Sequence, residues 1–385
     1  MTQNVHDVIV IGAGSVGVPA ALAMARDGLS VLVIDQFASP GQGSNKTAIG
    51  GIRATHSDPA KITLCLRSLE IASTWEATYG DDIEWTTGGY CFVAYTDREE
   101  KILKDLLLIQ KPYGLDIDWL EADALLEAVP ALEHDGLLGG TLSPGDGHCS
   151  PLLFGHAMYE QARREGVAFR FGEAITAIEA SGGRIQGVVT DRGRYSASIV
   201  VNAAGPWAND VGRLLGVDHP VRPDSHEGGI TEPVRPFLKP MVVDIRPAPG
   251  SANYYFYQLA TGQVVFCITP SPSIWGFDRR ETSAFLPMVA KRMVDLMPRL
   301  SNLRVRRTWR GLYPMTPDGS PLVGRSCDVT GYIVAIGMCG QGFMLGPGLG
   351  ELLSRLVREA LIPKDREILA LLAPDRSFGG QEALT

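Results

Sequence analysis

Apolar positions change period twice in the first 35 residues. Val8-Ile9-Val10-Ile11 is an unbroken apolar run, the pattern of a strand covered on both faces, and it runs straight into glycines. An alanine-rich stretch over 19–27 follows with helical spacing, Gly28 stops it, and Val31-Leu32-Val33-Ile34 repeats the apolar run. This order predicts a βαβ unit over residues 6–35. Further on, 59–79 and 97–110 read as helices, whereas 85–95 has the Gly, Thr and aromatic content of strands. A helix is expected over 156–165, then short apolar runs at 168–171, 174–179, 187–189 and 198–202 that look like a return of the βα pattern. From about 217 to 285 the chain turns to Pro, Arg and alternating aromatics. Tyr255, Tyr257 and Leu259 share one strand face, and 264–268 supplies an antiparallel partner. A helix near 284–296 precedes a strand at 332–336, a glycine turn and a helix over 348–361.

The pattern predicts an α/β protein: a discontinuous Rossmann-like dinucleotide domain over 1–87, 145–216 and 300–385, with an α+β substrate domain inserted as 88–144 and 217–299 around a mainly antiparallel sheet. A length of 385 residues suits two such domains. The formal charge of −8 leaves no electrostatic footprint for nucleic acid or an anionic membrane, so any anionic ligand must be held by local cations. Six scattered cysteines, without CxxC spacing, read as reduced thiols in a cytoplasmic protein; no metal site is expected. No apolar run reaches the ~20 residues of a membrane-spanning helix.

Gly12-Ala13-Gly14-Ser15-Val16-Gly17 is GxGxxG placed after a strand and opening a helix. The first glycine permits the tight turn, the second lets backbone approach a pyrophosphate, and the third allows close helix–strand contact; the anion then sits at a helix N-terminus. Asp35, with Gln36 after it, ends the second strand about 20 residues on, where a carboxylate accepts from ribose hydroxyls and disfavours a 2′-phosphate. This fixes a dinucleotide without choosing between NAD and FAD.

Three other segments make the choice. Trp309-Arg310-Gly311-Leu312-Tyr313-Pro314-Met315-Thr316-Pro317-Asp318-Gly319, Gly337-Met338-Cys339-Gly340-Gln341-Gly342-Phe343-Met344 and Asn202-Ala203-Ala204-Gly205-Pro206-Trp207 resemble signatures of the D-amino-acid oxidase and sarcosine oxidase superfamily, glycine oxidase-like proteins and β-type sarcosine oxidase subunits included. The resemblance spans nearly the whole chain. It implies the glutathione-reductase-like FAD fold, with the adenine end of FAD at residues 12–35 and its ring near 340–344. Gly205 and its neighbours then approach the cofactor, and Ile175 contacts adenine through its backbone. A helix beginning near Gly346 would point its positive end at the ring. By the same resemblance, the loop Gly43-Ser44-Asn45-Lys46-Thr47-Ala48-Ile49-Gly50-Gly51-Ile52-Arg53-Ala54-Thr55-His56 covers the flavin and feeds the substrate site, its small and polar residues suiting backbone wrapped around phosphate and ring edges.

For a substrate, the resemblance makes Arg53 the holder of a carboxylate, with Arg310 second, since a planar guanidinium matches a carboxylate best. Tyr255 and Tyr257 are expected to face the flavin. His56 is a candidate to set the amine's protonation, a surface position being the plainer alternative. There are three departures from the family. Gly311 replaces the cysteine that anchors FAD covalently in monomeric sarcosine oxidases, implying a non-covalent flavin. The segment 263–266 lacks the lysine that promotes reaction with oxygen, which favours a dehydrogenase, or an oxidase using another lysine such as Lys46. Met344 stands in place of a second carboxylate-binding lysine. The expected activity is FAD-dependent oxidation of the C–N bond of a small amine or amino acid, of sarcosine, proline, opine or D-amino-acid type, by hydride transfer to flavin N5, giving an imine that hydrolyses. The alternatives are a flavin-carrying β-type subunit passing electrons to a partner, and an NAD-dependent dehydrogenase that leaves the glycine motif at 340–342 without a role.

Overall fold

The computed structural model describes residues 4–379 and 382–384. Its cofactor side is a six-stranded sheet in the order Leu322–Arg325, Tyr332–Ile336, Ile199–Asn202, Val8–Ile11, Val31–Asp35, Ala168–Phe171, parallel except for the first pair. Val8–Ile11 is buried along its whole length because helices cover one face, over Val8 and Val10, and Ile178, Ile185, Val188 and Tyr195 lie in the cluster on the other, with Ile9 and Ile11; it therefore reads as continuous apolar sequence rather than alternation. The helix Gly17–Arg26 and the helix Gly342–Val357 pack face to face beside this sheet. Glycine makes that approach close: a Cβ on Gly346 would stand 1.7 Å from the Ser15 carbonyl oxygen, and one on Gly350 2.7 Å from the Pro19 backbone.

The second layer is an eight-stranded sheet, Val305–Met315, Arg222–Thr231, Val264–Ser271, Gly250–Gln258, Met241–Asp244, Tyr90–Ala94, Gly139–Ser143, Asp118–Glu121. It is antiparallel except where Met241–Asp244 runs beside Tyr90–Ala94. The helix Phe285–Leu296 seals one face through Phe285, Val289 and Met293, within a core that includes Phe256 and Phe266.

Three expectations are corrected. Residues 174–196 are not a βα repeat but an antiparallel meander, Ile175–Ser181, Arg184–Thr190, Arg194–Ser196. Gly182 and Gly183 both take positive φ, 58° and 73°, and so form the two-residue hairpin turn. The last long helix begins at Gly342, not 346–348: Gly346, Pro347 and Gly348 sit inside it, where packing against Ser15 and Leu64 outweighs their poor helix propensity. The strand Val305–Met315 pairs along its length with Arg222–Thr231 in the eight-stranded sheet, rather than with the cofactor sheet as a boundary at 300 implies.

Candidate active site

A cavity of about 450 Å³ runs between the two layers. At one end the glycine loop turns. Gly12 has φ 108°, and a Cβ there would lie 2.5 Å from the Ala203 carbonyl, while a Cβ on Gly17 would lie 1.9 Å from the Gly12 carbonyl. Gly14 has open space around it, so its missing side chain matters to what occupies the cavity, not to the fold. The Asp35 carboxylate accepts from the Ala13 amide at 2.7 Å and the Phe37 amide at 2.8 Å; burial nonetheless raises its pKa. Gln36, Phe37, Ile175 and Gly205–Trp207 wall the same stretch, with Phe37 edge-on to Trp207.

The loop from Gly43 is fastened on both sides. Ser44 Oγ donates to the Leu312 carbonyl at 2.7 Å, Trp309 Nε1 to the Thr47 carbonyl at 3.0 Å, and the Tyr257 hydroxyl to the Ile49 carbonyl. Ser44, Asn45, Thr47, Ala48 and Ile49 line the cavity, whereas Lys46 turns away to Gln42. Gly311 lies behind this loop, where a Cβ would meet Thr47 Oγ1 at 2.3 Å.

Opposite, Cys339 (φ 49°) and Gly340 (φ 80°) turn the chain into the helix that starts at Gly342. A Cβ on Gly340 would strike the Tyr313 ring at 2.1 Å. Residues Gly340, Gln341, Gly342, Phe343 and Met344 face the cavity, so the unpaired amides of a helix N-terminus, together with Ser15 and Val16 of the first helix, make it electropositive at both helix starts. Two buried polar atoms here, Gln341 Nε2 and Asn45 Oδ1, have no partner among the described residues. An elongated cavity with an open Gly14, two helix N-termini and unspent donors and acceptors fits FAD.

Deeper in, Arg53 is a buried residue of the cavity wall, with its guanidinium over the Phe92 ring at 5.5 Å. Nη1 donates to the Thr55 carbonyl and Nη2 to the Leu384 carbonyl at 2.5 Å. Tyr90, Phe92, Met241, Val243 and Tyr255 form the surrounding wall. Tyr255 hydrogen-bonds Tyr313 and stays a neutral phenol, because burial raises its pKa well above the usual value.

The structure separates some residues grouped by sequence. His56 is neither at the surface nor in the cavity: it is fully buried behind Arg53, and burial with the adjacent guanidinium holds its pKa well below normal. Arg53 can only donate, so His56 Nδ1 accepts at 3.4 Å and the ring proton sits on Nε2, facing Cys65 Sγ at 3.4 Å. Tyr257 packs on His148, with ring centroids 4.3 Å apart, and braces the loop rather than the cavity. Arg310 lies outside the cavity lining, donating to the Arg280 carbonyl at 3.0 Å.

Four residues escaped the sequence reading. Lys61 is fully buried, donates to the Gly319 carbonyl at 2.8 Å and Gln341 Oε1 at 3.0 Å, and pairs with Glu382 at 2.8 Å. Asp146 accepts from the Ala54 amide at 3.1 Å beside Arg53; burial pushes its carboxyl up to about 7, against the lowering pull of that amide and of Arg53. Leu384 lies in the cavity wall. All are brought in from distant sequence, and only a lysine within a helical apolar pattern could have hinted at Lys61.

The family model for FAD dependent oxidoreductases (DAO) matches residues 7–356, and the chain belongs to that family. It is an FAD-dependent oxidoreductase. The hydrogen cyanide synthase subunit HcnC of Pseudomonas aeruginosa is 26% identical, covering 94% of this chain and 95% of that protein. Glycine oxidase of Geobacillus kaustophilus is also 26% identical, covering 91% and 93%. Dimethylglycine dehydrogenase of Rattus norvegicus matches 96% of this chain at 26% identity, but the chain spans only 44% of that longer protein. Among solved structures, L-proline dehydrogenase from P. horikoshii superposes with a TM-score of 0.88 at 29% identity, covering 94% of this chain and 95% of that one. Among the described residues no helix is long and apolar enough to cross a membrane, and no cluster of His, Cys, Asp and Glu could hold a metal.

Proposed function

We propose that this chain oxidises the C–N bond of a small amino acid, a secondary or primary amine bearing a carboxylate. The carrying observation is Arg53, a buried cation in an otherwise aromatic and aliphatic wall, facing the cavity that fits FAD. Bound FAD supplies the redox chemistry, taking hydride at N5 from the carbon attached to nitrogen. Gly12, Gly14, Ser15 and Asp35 hold its dinucleotide portion, and the amides from Gly340 to Met344 offset negative charge on the ring. Without a cysteine at position 311, it is held non-covalently. Arg53 fixes the substrate carboxylate, Phe92 and Tyr90 shape its pocket, and Tyr255 supplies a neutral hydroxyl that orients the amine without competing for its proton. The relatives named for glycine and proline support this substrate class.

We favour a dehydrogenase over an oxidase, as Lys46 faces away from the cavity and Lys61 is bound to Glu382. Partner-dependent electron transfer is a second reading, supported by the subunit status of HcnC and by the exposed apolar group Ile274, Trp275 and Phe277. An isolated chain that is reduced by substrate yet turns over only with an added dye supports it; full turnover with oxygen opposes it. Six free cysteines, five of them buried, fit a cytoplasmic setting.

The substrate class is tested by comparing an amino acid with its amide. Arg53→Lys loses the planar fork, and KM for the acid should rise roughly 10–100-fold, the worth of about 1.5–3 kcal/mol for a charged hydrogen bond, while the amide changes little. Equal effects on both would remove Arg53 from carboxylate binding.

A further inference from the structure

Arg53 is not waiting empty-handed. Its Nη2 donates to the Leu384 carbonyl at 2.5 Å, and the Leu384 side chain is buried in the apolar cluster that contains Ile49, Tyr90, Phe92 and Met241. Leu384 thus offers the pocket an oxygen on the guanidinium and a branched aliphatic group among aromatic and thioether walls. Those are two features of a bound apolar amino acid, without its carboxylate charge or its free amine. The segment is anchored mainly through Glu382, to whose Oε1 the Leu384 amide also donates at 3.2 Å. Glu382 Oε1 accepts from the Ser57 amide at 2.8 Å and the Ser57 hydroxyl at 2.6 Å, and its Oε2 stands 2.8 Å from Lys61 Nζ with no other partner among the described residues. The Ala383 amide donates to Ser57 Oγ at 3.0 Å, and the Glu382 amide to the Asp318 carbonyl at 3.1 Å.

We propose that Glu382–Leu384 is a built-in occupant of the substrate pocket, held by the Glu382–Lys61 pair, and that the pocket it mimics takes an α-amino acid with a compact apolar side chain, whose carboxylate displaces the Leu384 carbonyl from Arg53. This rests on the reading of Arg53 above and deepens it. Two asymmetries support displacement. A carboxylate makes a charge-assisted, two-pronged pair with a guanidinium, where a peptide carbonyl makes a single neutral-acceptor bond. The anchor at Ser57 and Lys61 is separate from Arg53, so Leu384 can leave while Glu382 keeps its ion pair. Burial alone would raise the Glu382 pKa, but Lys61 overrides it and holds the carboxylate ionised well into acid.

The consequence is a competition: substrate pays to evict the segment, and affinity is lower than the pocket alone would give. The test uses the FAD-loaded protein and a non-oxidisable probe, pyrrole-2-carboxylate, with pyrrole-2-carboxamide as the uncharged control. Flavin absorbance follows binding, and hydrogen exchange follows the Leu384 and Ser57 amides. Deletion of residues 382–384 should tighten pyrrole-2-carboxylate binding at least tenfold and tighten the carboxamide as well, from a weaker starting affinity, because both must evict Leu384. Should the deletion disturb the fold, the intact protein still answers, since saturating probe should speed exchange at Leu384, whose amide donates to Glu382 Oε1 at 3.2 Å, and leave Ser57 protected. Equal affinity in both proteins, with unaltered exchange, overturns the proposal and leaves Arg53 as the carboxylate holder. No binding to either protein overturns both, and the absent spectral change tells the two failures apart.

Discussion

Asp35 and Ala13 are joined by a 2.7 Å hydrogen bond from the Ala13 amide to the carboxylate, so the acid that ends the second strand also sets the shape of the glycine loop. The same carboxylate therefore has two tasks: holding the loop and facing the cofactor's ribose. Asp35→Ala should raise the Kd for FAD about 10–100-fold, the loss of charged hydrogen bonds worth about 1.5–3 kcal/mol, measured by the fluorescence of FAD released on dilution. An unchanged Kd would mean that the ribose is held elsewhere.

Gly14 and Gly346 separate binding from folding. A Cβ on Gly14 meets nothing within 4 Å, while one on Gly346 would collide with the Ser15 carbonyl at 1.7 Å. Gly14→Ala should keep the apoprotein's stability within about 0.5 kcal/mol and still weaken FAD, because the obstruction arises only when a pyrophosphate approaches. Gly346→Ala should cost about 1–3 kcal/mol of stability by overpacking the two helices, with or without cofactor. Denaturant titrations of apo and FAD-loaded protein check both; a Gly14→Ala apoprotein as damaged as Gly346→Ala would contradict the assignment.

Gly14 was readable in sequence because GxGxxG, its flanking strand and its helix are contiguous and each carries its own period. The antiparallel pair 255–268 was readable for the same reason: Tyr255 and Tyr257 alternate against 264–268, and they pair in that register. The start of the last helix was not, since Gly346 and Pro347 look like breakers until Ser15 is seen packed against them. Nor was the inner site. His56 reads as a surface histidine or one that sets the amine's protonation, and nothing local shows that Cys65 and Arg53 enclose it. Lys61 and Glu382 become a pair only through the tertiary fold.

His148 carries a pH dependence of stability. Burial lowers its pKa from 6.5 to about 4, neither ring nitrogen has a partner among the described residues, and the ring packs on Tyr257. The folded state binds fewer protons than the unfolded one between those values, so this contribution is fully present above about pH 6.5 and is lost as pH falls towards 4. Across that window it amounts to roughly 2–3 kcal/mol, at 1.36 kcal/mol per unit. His148→Phe should remove that slope, measured as denaturation free energy at pH 7 and pH 4.5 against wild type. An identical slope in the variant would assign the acid sensitivity to other groups.

The central claim, a flavin reduced by an amino acid held on Arg53, is met most directly by an anaerobic spectrum. The FAD-loaded protein is mixed without oxygen with a panel of glycine, sarcosine, dimethylglycine, L- and D-proline and apolar L- and D-amino acids, and the visible flavin band is followed. The account predicts that at least one of these bleaches the band, and that the corresponding amide does so far more slowly. A band that no amine or amino acid bleaches, in protein that NADH reduces readily, would contradict it.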